Sequence, residues 1–127
     1  MTFYTFLGII ERKEIMYDIE LYEDINGNSE IYEYIKKIKS IDNKENKQKA
    51  KKIDLYIDLL SEYGLTLTEP YIKKVEKEIW ELRPLRDRIL FASLYNNRFV
   101  LLSIFMKKTK KIPKKEIEKA KRLLRDY

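Results

Sequence analysis

Arg88-Ile-Leu-Phe-Ala-Ser-Leu-Tyr95, Asn96-Asn97, Arg98-Phe-Val-Leu-Leu-Ser-Ile-Phe-Met106 is the stretch that decides the fold. Two runs rich in β-branched, aromatic and leucine side chains flank two asparagines. Asparagine tolerates positive φ, so the pair predicts a two-residue hairpin turn between strands 88–95 and 98–106. The continuous apolar run 99–106 predicts a central strand covered on both faces rather than an alternating surface strand. Just upstream, residues 79–82 (Ile-Trp-Glu-Leu) predict a third strand, with Trp80 and Leu82 in the core.

Working toward the N-terminus, residues 65–77 are irregular, and Pro70 rules out a helix through them. Before that the period changes to that of helices. Ala50, Ile53, Tyr56, Ile57, Leu60 and Tyr63 recur at three- and four-residue spacing, with Gly64 positioned to end the helix. Ile31, Tyr34, Ile35, Ile38 and Ile41 do the same, with Ser29 placed to cap. The short polar break 42–45 favours an antiparallel helix pair. Residues 17–22 alternate apolar and acidic side chains, the period of a half-buried strand. On the C-terminal side, Pro113 suits the first turn of a helix whose stripe is Ile117, Ala120, Leu123 and Leu124. The predicted order is strand, helix, helix, three antiparallel strands and a helix. That is an α+β domain, with a helical hairpin and a C-terminal helix packed on a small, antiparallel-rich sheet.

Composition narrows the chemistry. The 127 residues contain neither cysteine nor histidine. A thiolate nucleophile is excluded, as are an imidazole acid or base and the usual nitrogen and sulfur ligands of zinc. There are 27 Lys+Arg against 21 Asp+Glu, a net charge of +6. Residues 107–127 alone hold ten bases and three acids. A basic segment of this density is the electrostatic footprint of a polyanionic partner. The apolar start, residues 2–10, is too short to span a bilayer and has no basic leader or cleavage pattern. Lys13-Glu14 can be encoded by a ribosome-binding sequence just before Met16. Residues 1–15 are therefore expected to be an extra segment ahead of a mis-assigned start, and residues 16–127 a single domain.

Glu81-Leu82-Arg83, Arg88-Ile89-Leu90-Phe91, residues 100–108 (VLLSIFMKK) and Pro113-x-x-Glu116-Ile117-x-x-Ala120 together resemble the C-terminal half of the RelE/ParE superfamily. The closest likeness is to its phage-derived, HigB-like branch. The resemblance implies a RelE-like fold and the toxin of a type II toxin–antitoxin system. It further implies a cytoplasmic, metal-independent and cofactor-free endoribonuclease that enters the ribosomal A site and cleaves mRNA. The implied partners are a helix-turn-helix, HigA-like antitoxin and the ribosome with its message, with no membrane. Ser103 departs from the pattern, because many HigB-like relatives carry histidine there, and its absence weakens a histidine-based mechanism.

Metal-free RNA cleavage needs a base for the ribose 2′-OH, positive charge around the phosphorus, and an acid for the leaving 5′ oxygen. Arg83 and Arg88 end neighbouring predicted strands, and their forked guanidiniums suit phosphate. Lys107 and Lys108 end the central strand, and alternation places only one of them toward the site. Glu81 and Glu116 are candidate bases. A lysine competes for that role, at a cost of about 4 kcal/mol to be half neutral near neutral pH. Lys110, Lys111, Lys114 and Lys115 are candidate RNA-phosphate contacts. Plainer roles remain open: Arg83 and Glu81 pairing on a sheet surface, and Glu116 as a favourable first-turn acid. So do two other functions, a ParE-like inhibitor of DNA gyrase and a non-catalytic nucleic-acid-binding domain.

Overall fold

The computed structural model describes residues 17–127; the proposed extra segment 1–15 and the Met16 start lie outside them. Five strands form one sheet in the order β1-β5-β4-β3-β2. They are β1 (Asp18–Leu21), β2 (Ile72–Lys74), β3 (Trp80–Leu82), β4 (Asp87–Leu94) and β5 (Arg98–Met106). Helices α1 (Glu30–Ser40) and α2 (Lys44–Tyr63) form the hairpin, and α3 (Lys114–Asp126) ends the chain.

The helices start where local chemistry says they should. The Ser29 hydroxyl accepts from the Tyr32 N–H at 3.1 Å, and the Asn43 side chain accepts from Asn46 N–H at 2.8 Å. Gly64 ends α2 with φ +59°, and an added Cβ there would stand 2.5 Å from the Tyr17 ring. Asn96 and Asn97 take the expected positive φ, +62° and +55°, but Leu94 pairs with Arg98, so the hairpin loop spans the three residues 95–97, one more than the sequence predicts.

The sheet separates two cores. Ile89, Phe91, Phe99, Leu101 and Leu82 pack with Ile31, Ile38, Ile53 and Leu60 of the helical hairpin. Leu90, Ala92, Val100, Leu102 and Ile79 pack with Ala120, Leu123 and Leu124 of α3. Asp87 therefore falls on the hairpin side of β4, while Arg88, and Glu81 on β3, fall on the α3 side.

Three further features differ from the sequence reading. An additional strand, β2, pairs antiparallel with β3 as Ile72↔Leu82 through Lys74↔Trp80. It is a three-residue edge with two exposed lysines, too short and too polar to show a period. The first strand joins the far edge in parallel with β5, Asp18↔Arg98 through Leu21↔Leu101, so the central position belongs to β4. Finally, β5 carries a bulge. Leu90 pairs with Ser103 but Phe91 pairs with Leu101, two steps of β5 against one of β4. The bulge reverses side-chain parity. Phe99 and Leu101 face the hairpin before it, and after it Ile104 does.

Candidate active site

The β3–β4 turn gathers the arginines. Asp87 N–H donates to the Pro84 carbonyl at 3.0 Å, and Lys107 N–H donates to the Arg86 carbonyl at 2.8 Å. Leu85 at the tip is a left-handed residue, φ +55°, and is half exposed. A leucine in this region costs about 1–2 kcal/mol, so other contacts must hold the turn. Arg88 does so: its Nη1 donates to the Leu85 carbonyl at 2.8 Å and to the Asp87 carbonyl at 2.9 Å.

Arg83 and Arg88 lie together at the β3–β4 turn, with Glu81 between them. Glu81 Oε1 lies 3.2 Å from Arg88 Nε and 3.9 Å from Arg83 Nε, and Arg83 Nη1 lies 3.5 Å from Glu69. Their accessibilities differ in a way that matters. Glu81 is 4% and Arg88 9% exposed, while the Arg83 side chain keeps 21%. Burial pulls the Arg88 guanidinium below its ordinary pKa; the charge of Glu81 opposes this and that of Arg83 adds to it. Arg88 and Glu81 are thus committed to each other and to the turn backbone. Arg83 has the more open guanidinium of the two arginines proposed from sequence.

Lys107 continues β5 beside Arg86. With parity reversed by the bulge, alternation carries it to the same side as Arg88 and Phe105, and Lys108 to the other. Lys107 is half-buried, Lys108 is exposed, and neither makes an ion pair among the described residues. Arg86, exposed and equally without an ion pair, was missed in the sequence; the R-x-x-R-x-R spacing of Arg83, Arg86 and Arg88 is the signal that marks it.

The remaining candidates do not join the arginines by contact. Glu116 is half-buried in the first turn of α3, where its charge suits the helix N-terminus. Lys110, Lys111, Lys114 and Lys115 are exposed along the β5–α3 loop and that first turn, free of ion pairs. Ser103 is completely buried at the bulge, and its hydroxyl has no hydrogen-bond partner. From there it reaches no substrate.

On the opposite side of β4, Asp87 is 1% exposed and anchors both hairpin helices. The Tyr34 hydroxyl donates a short hydrogen bond to Asp87 Oδ1. Lys49 Nζ lies 3.7 Å from that oxygen and donates to the Tyr34 hydroxyl at 3.2 Å. Burial, then the hydrogen bond and charge of Asp87, push the Tyr34 phenol well above its ordinary value.

Among known proteins, the family model described as "Phage derived protein Gp49-like (DUF891)" matches residues 36–125. No curated protein matches the sequence. Among solved structures, a chain of the archaeal RelE–RelB complex from Pyrococcus horikoshii OT3 is similar, with a TM-score of 0.50 and 14% identity. The match covers 72% of this chain and 94% of that one. At that identity the likeness is one of fold, and it agrees with the RelE-like architecture expected from the sequence. No helix among the described residues is long and apolar enough to cross a membrane.

Proposed function

The chain belongs to the Gp49-like family of phage-derived proteins and has a RelE-like fold, and on that premise we propose that it is the toxin of a type II toxin–antitoxin pair. Its activity is cleavage of messenger RNA at the ribosome without a metal. The observation that carries this reading is the arginine turn: Arg83 and Arg86, with Lys107 beside them, present cationic groups at one end of the sheet around a buried Glu81–Arg88 clamp.

In this reading Arg83, Arg86 and Lys107 bind the scissile phosphate and stabilise its charge as phosphorus becomes five-coordinate. Glu81 and Arg88 hold the turn in place as positioning residues. Lys108, Lys110, Lys111, Lys114 and Lys115 contact neighbouring phosphates. Glu116 or a lysine of the cluster takes the 2′-OH proton as the 2′ oxygen bonds to phosphorus; the P–O5′ bond breaks, leaving a 2′,3′-cyclic phosphate, and the departing 5′ oxygen takes a proton from a cationic lysine of the cluster or from water. The partner is a helix-turn-helix antitoxin that covers the arginine turn or blocks docking to the ribosome. That the similar archaeal chain was solved in a RelE–RelB complex supports a protein partner.

The test is induction of the wild type and of Arg83→Ala in bacteria, with mapping of message ends and of growth. Cuts within A-site codons and growth arrest are expected from the wild type, with cleavage about 100-fold or more weaker in Arg83→Ala. Growth should return when the neighbouring antitoxin gene is expressed. Intact messages with stalled gyrase would move the protein to the gyrase-inhibitor class.

A further inference from the structure

The arginine turn is not the sole cationic surface. Residues 36–52, spanning the end of α1, the turn and the start of α2, hold eight lysines against two acids, Asp42 and Glu45. The net charge of the chain conceals this, because residues 17–35 hold six acids and no base. Lys44, Lys47 and Lys51 recur at three- and four-residue spacing, so they share one face of α2. Together with Lys39 of α1 they line an open groove at the hairpin turn.

A solvated lysine face on a helix ordinarily alternates with acids at four-residue spacing. Here Lys44 and Lys51 make no ion pair among the described residues. The two bridges present, Lys47–Asp42 at 3.0 Å and Lys39–Asp54 at 3.2 Å, are solvent-exposed and contribute little. Ile41 is the one exposed hydrophobic side chain among the residues lining the groove, Ile38 and Ala50 being buried. A protein partner would need an apolar centre, whereas a phosphate backbone needs cations and polar side chains such as Asn46 and Gln48.

The groove is also linked to the arginine turn. Asp87 neighbours Arg88 in sequence and binds both Tyr34 and Lys49. At 1.5 Å per residue, the first residue of the hairpin turn is about 10 Å along α1 from Tyr34, and its last is about 9 Å along α2 from Lys49.

We propose that the groove lined by Lys39, Lys44, Lys47 and Lys51 is a second RNA-binding surface. It grips the phosphate backbone of folded RNA while the arginine turn engages the strand to be cut. The inference rests on the ribonuclease reading for its purpose, but the binding it asserts is measured separately.

The probe is a fluorescent stem-loop RNA, titrated with the full-length protein at several KCl concentrations. Lys44→Gln/Lys47→Gln/Lys51→Gln removes three exposed charges; an unchanged melting curve shows that the fold is kept. Affinity should fall about tenfold or more at 0.1 M KCl, and the slope of log K against log salt should shrink by about 2–3. A control with the same charge change elsewhere, Lys73→Gln/Lys77→Gln/Arg125→Gln, should lose clearly less. Equal losses in the two variants, or an unchanged salt slope, overturn the proposal. So does loss of antitoxin binding with RNA binding intact, which would assign the groove to a protein. If the expected binding losses appear but the wild type cuts no message, the groove stands and the nuclease reading fails. If the wild type cuts message and the triple variant binds RNA normally, the groove fails and the nuclease stands.

Discussion

Arg88→Ala should strongly destabilise the protein rather than merely silence it. The substitution removes two charge-assisted hydrogen bonds, to the carbonyls of Leu85 at 2.8 Å and Asp87 at 2.9 Å. Each such bond contributes about 1.5–3 kcal/mol. It also leaves Glu81, 4% exposed, with Arg83 Nε at 3.9 Å as its remaining cation. Breaking a buried pair from one side costs about 3–5 kcal/mol, and these effects overlap rather than add. A loss of about 4 kcal/mol is a large share of the 5–15 kcal/mol typical of a domain. With a urea dependence near 2 kcal/mol per molar, the unfolding midpoint should drop by about 2 M. The double variant Glu81→Leu/Arg88→Met removes both charges and should regain about 2 kcal/mol or more over Arg88→Ala. A midpoint shift below about 0.5 M for Arg88→Ala, or a double variant no more stable than the single, would refute the reasoning. Arg83→Ala should shift the midpoint little, which is why it is the cleaner probe of chemistry.

Two further outcomes follow from the buried polar groups. Ser103→Ala should raise Tm by about 4 °C, because it deletes a buried hydroxyl without a partner, worth about 1 kcal/mol, and should leave RNA cleavage unchanged. Slower cleavage by a normally folded variant would return position 103 to the chemistry. The raised phenol of Tyr34 contributes stability that is intact at neutral pH and drains away as pH climbs past the ordinary tyrosine value of about 10. Thermal melts from pH 8 to 11 should therefore steepen above pH 10 in the wild type relative to Tyr34→Phe; parallel curves would contradict the Tyr34–Asp87 bond.

Elements with a long, strong period were legible in the sequence. The two hairpin helices, β4, β5 and α3 all carry enough apolar positions to show their spacing, and Ser29, Asn96 and Asn97 mark their ends through local backbone chemistry. The short edge β2 was not legible, since Ile72-Lys73-Lys74 buries one side chain and exposes two. Nor was the parallel pairing of β1 with β5, because residues some 80 positions apart leave no local trace of their contact. Within the site, the approach of Arg83 and Arg88 followed from hairpin logic. Which arginine would remain open did not, because that depends on Arg88 turning inward to hold the Leu85 carbonyl. The lysine-rich groove escaped notice for an arithmetical reason: a neighbouring acidic stretch cancels it in any sum over the N-terminal half.

The bulge at Leu102–Ser103 acts as a one-residue phase switch. Unbroken alternation through the same residues, without the bulge, would alter neither composition nor hydropathy. Yet it would swap the destinations of everything downstream in the strand, sending Phe105 and Lys107 to the helical-hairpin layer and Ile104 to the α3 layer. An aromatic ring and an ammonium group would then exchange layers with an aliphatic side chain, and the arginine turn would lose its neighbouring lysine. In this chain one bulge in a single strand, as much as the identity of any residue on it, determines which lysine accompanies the arginines.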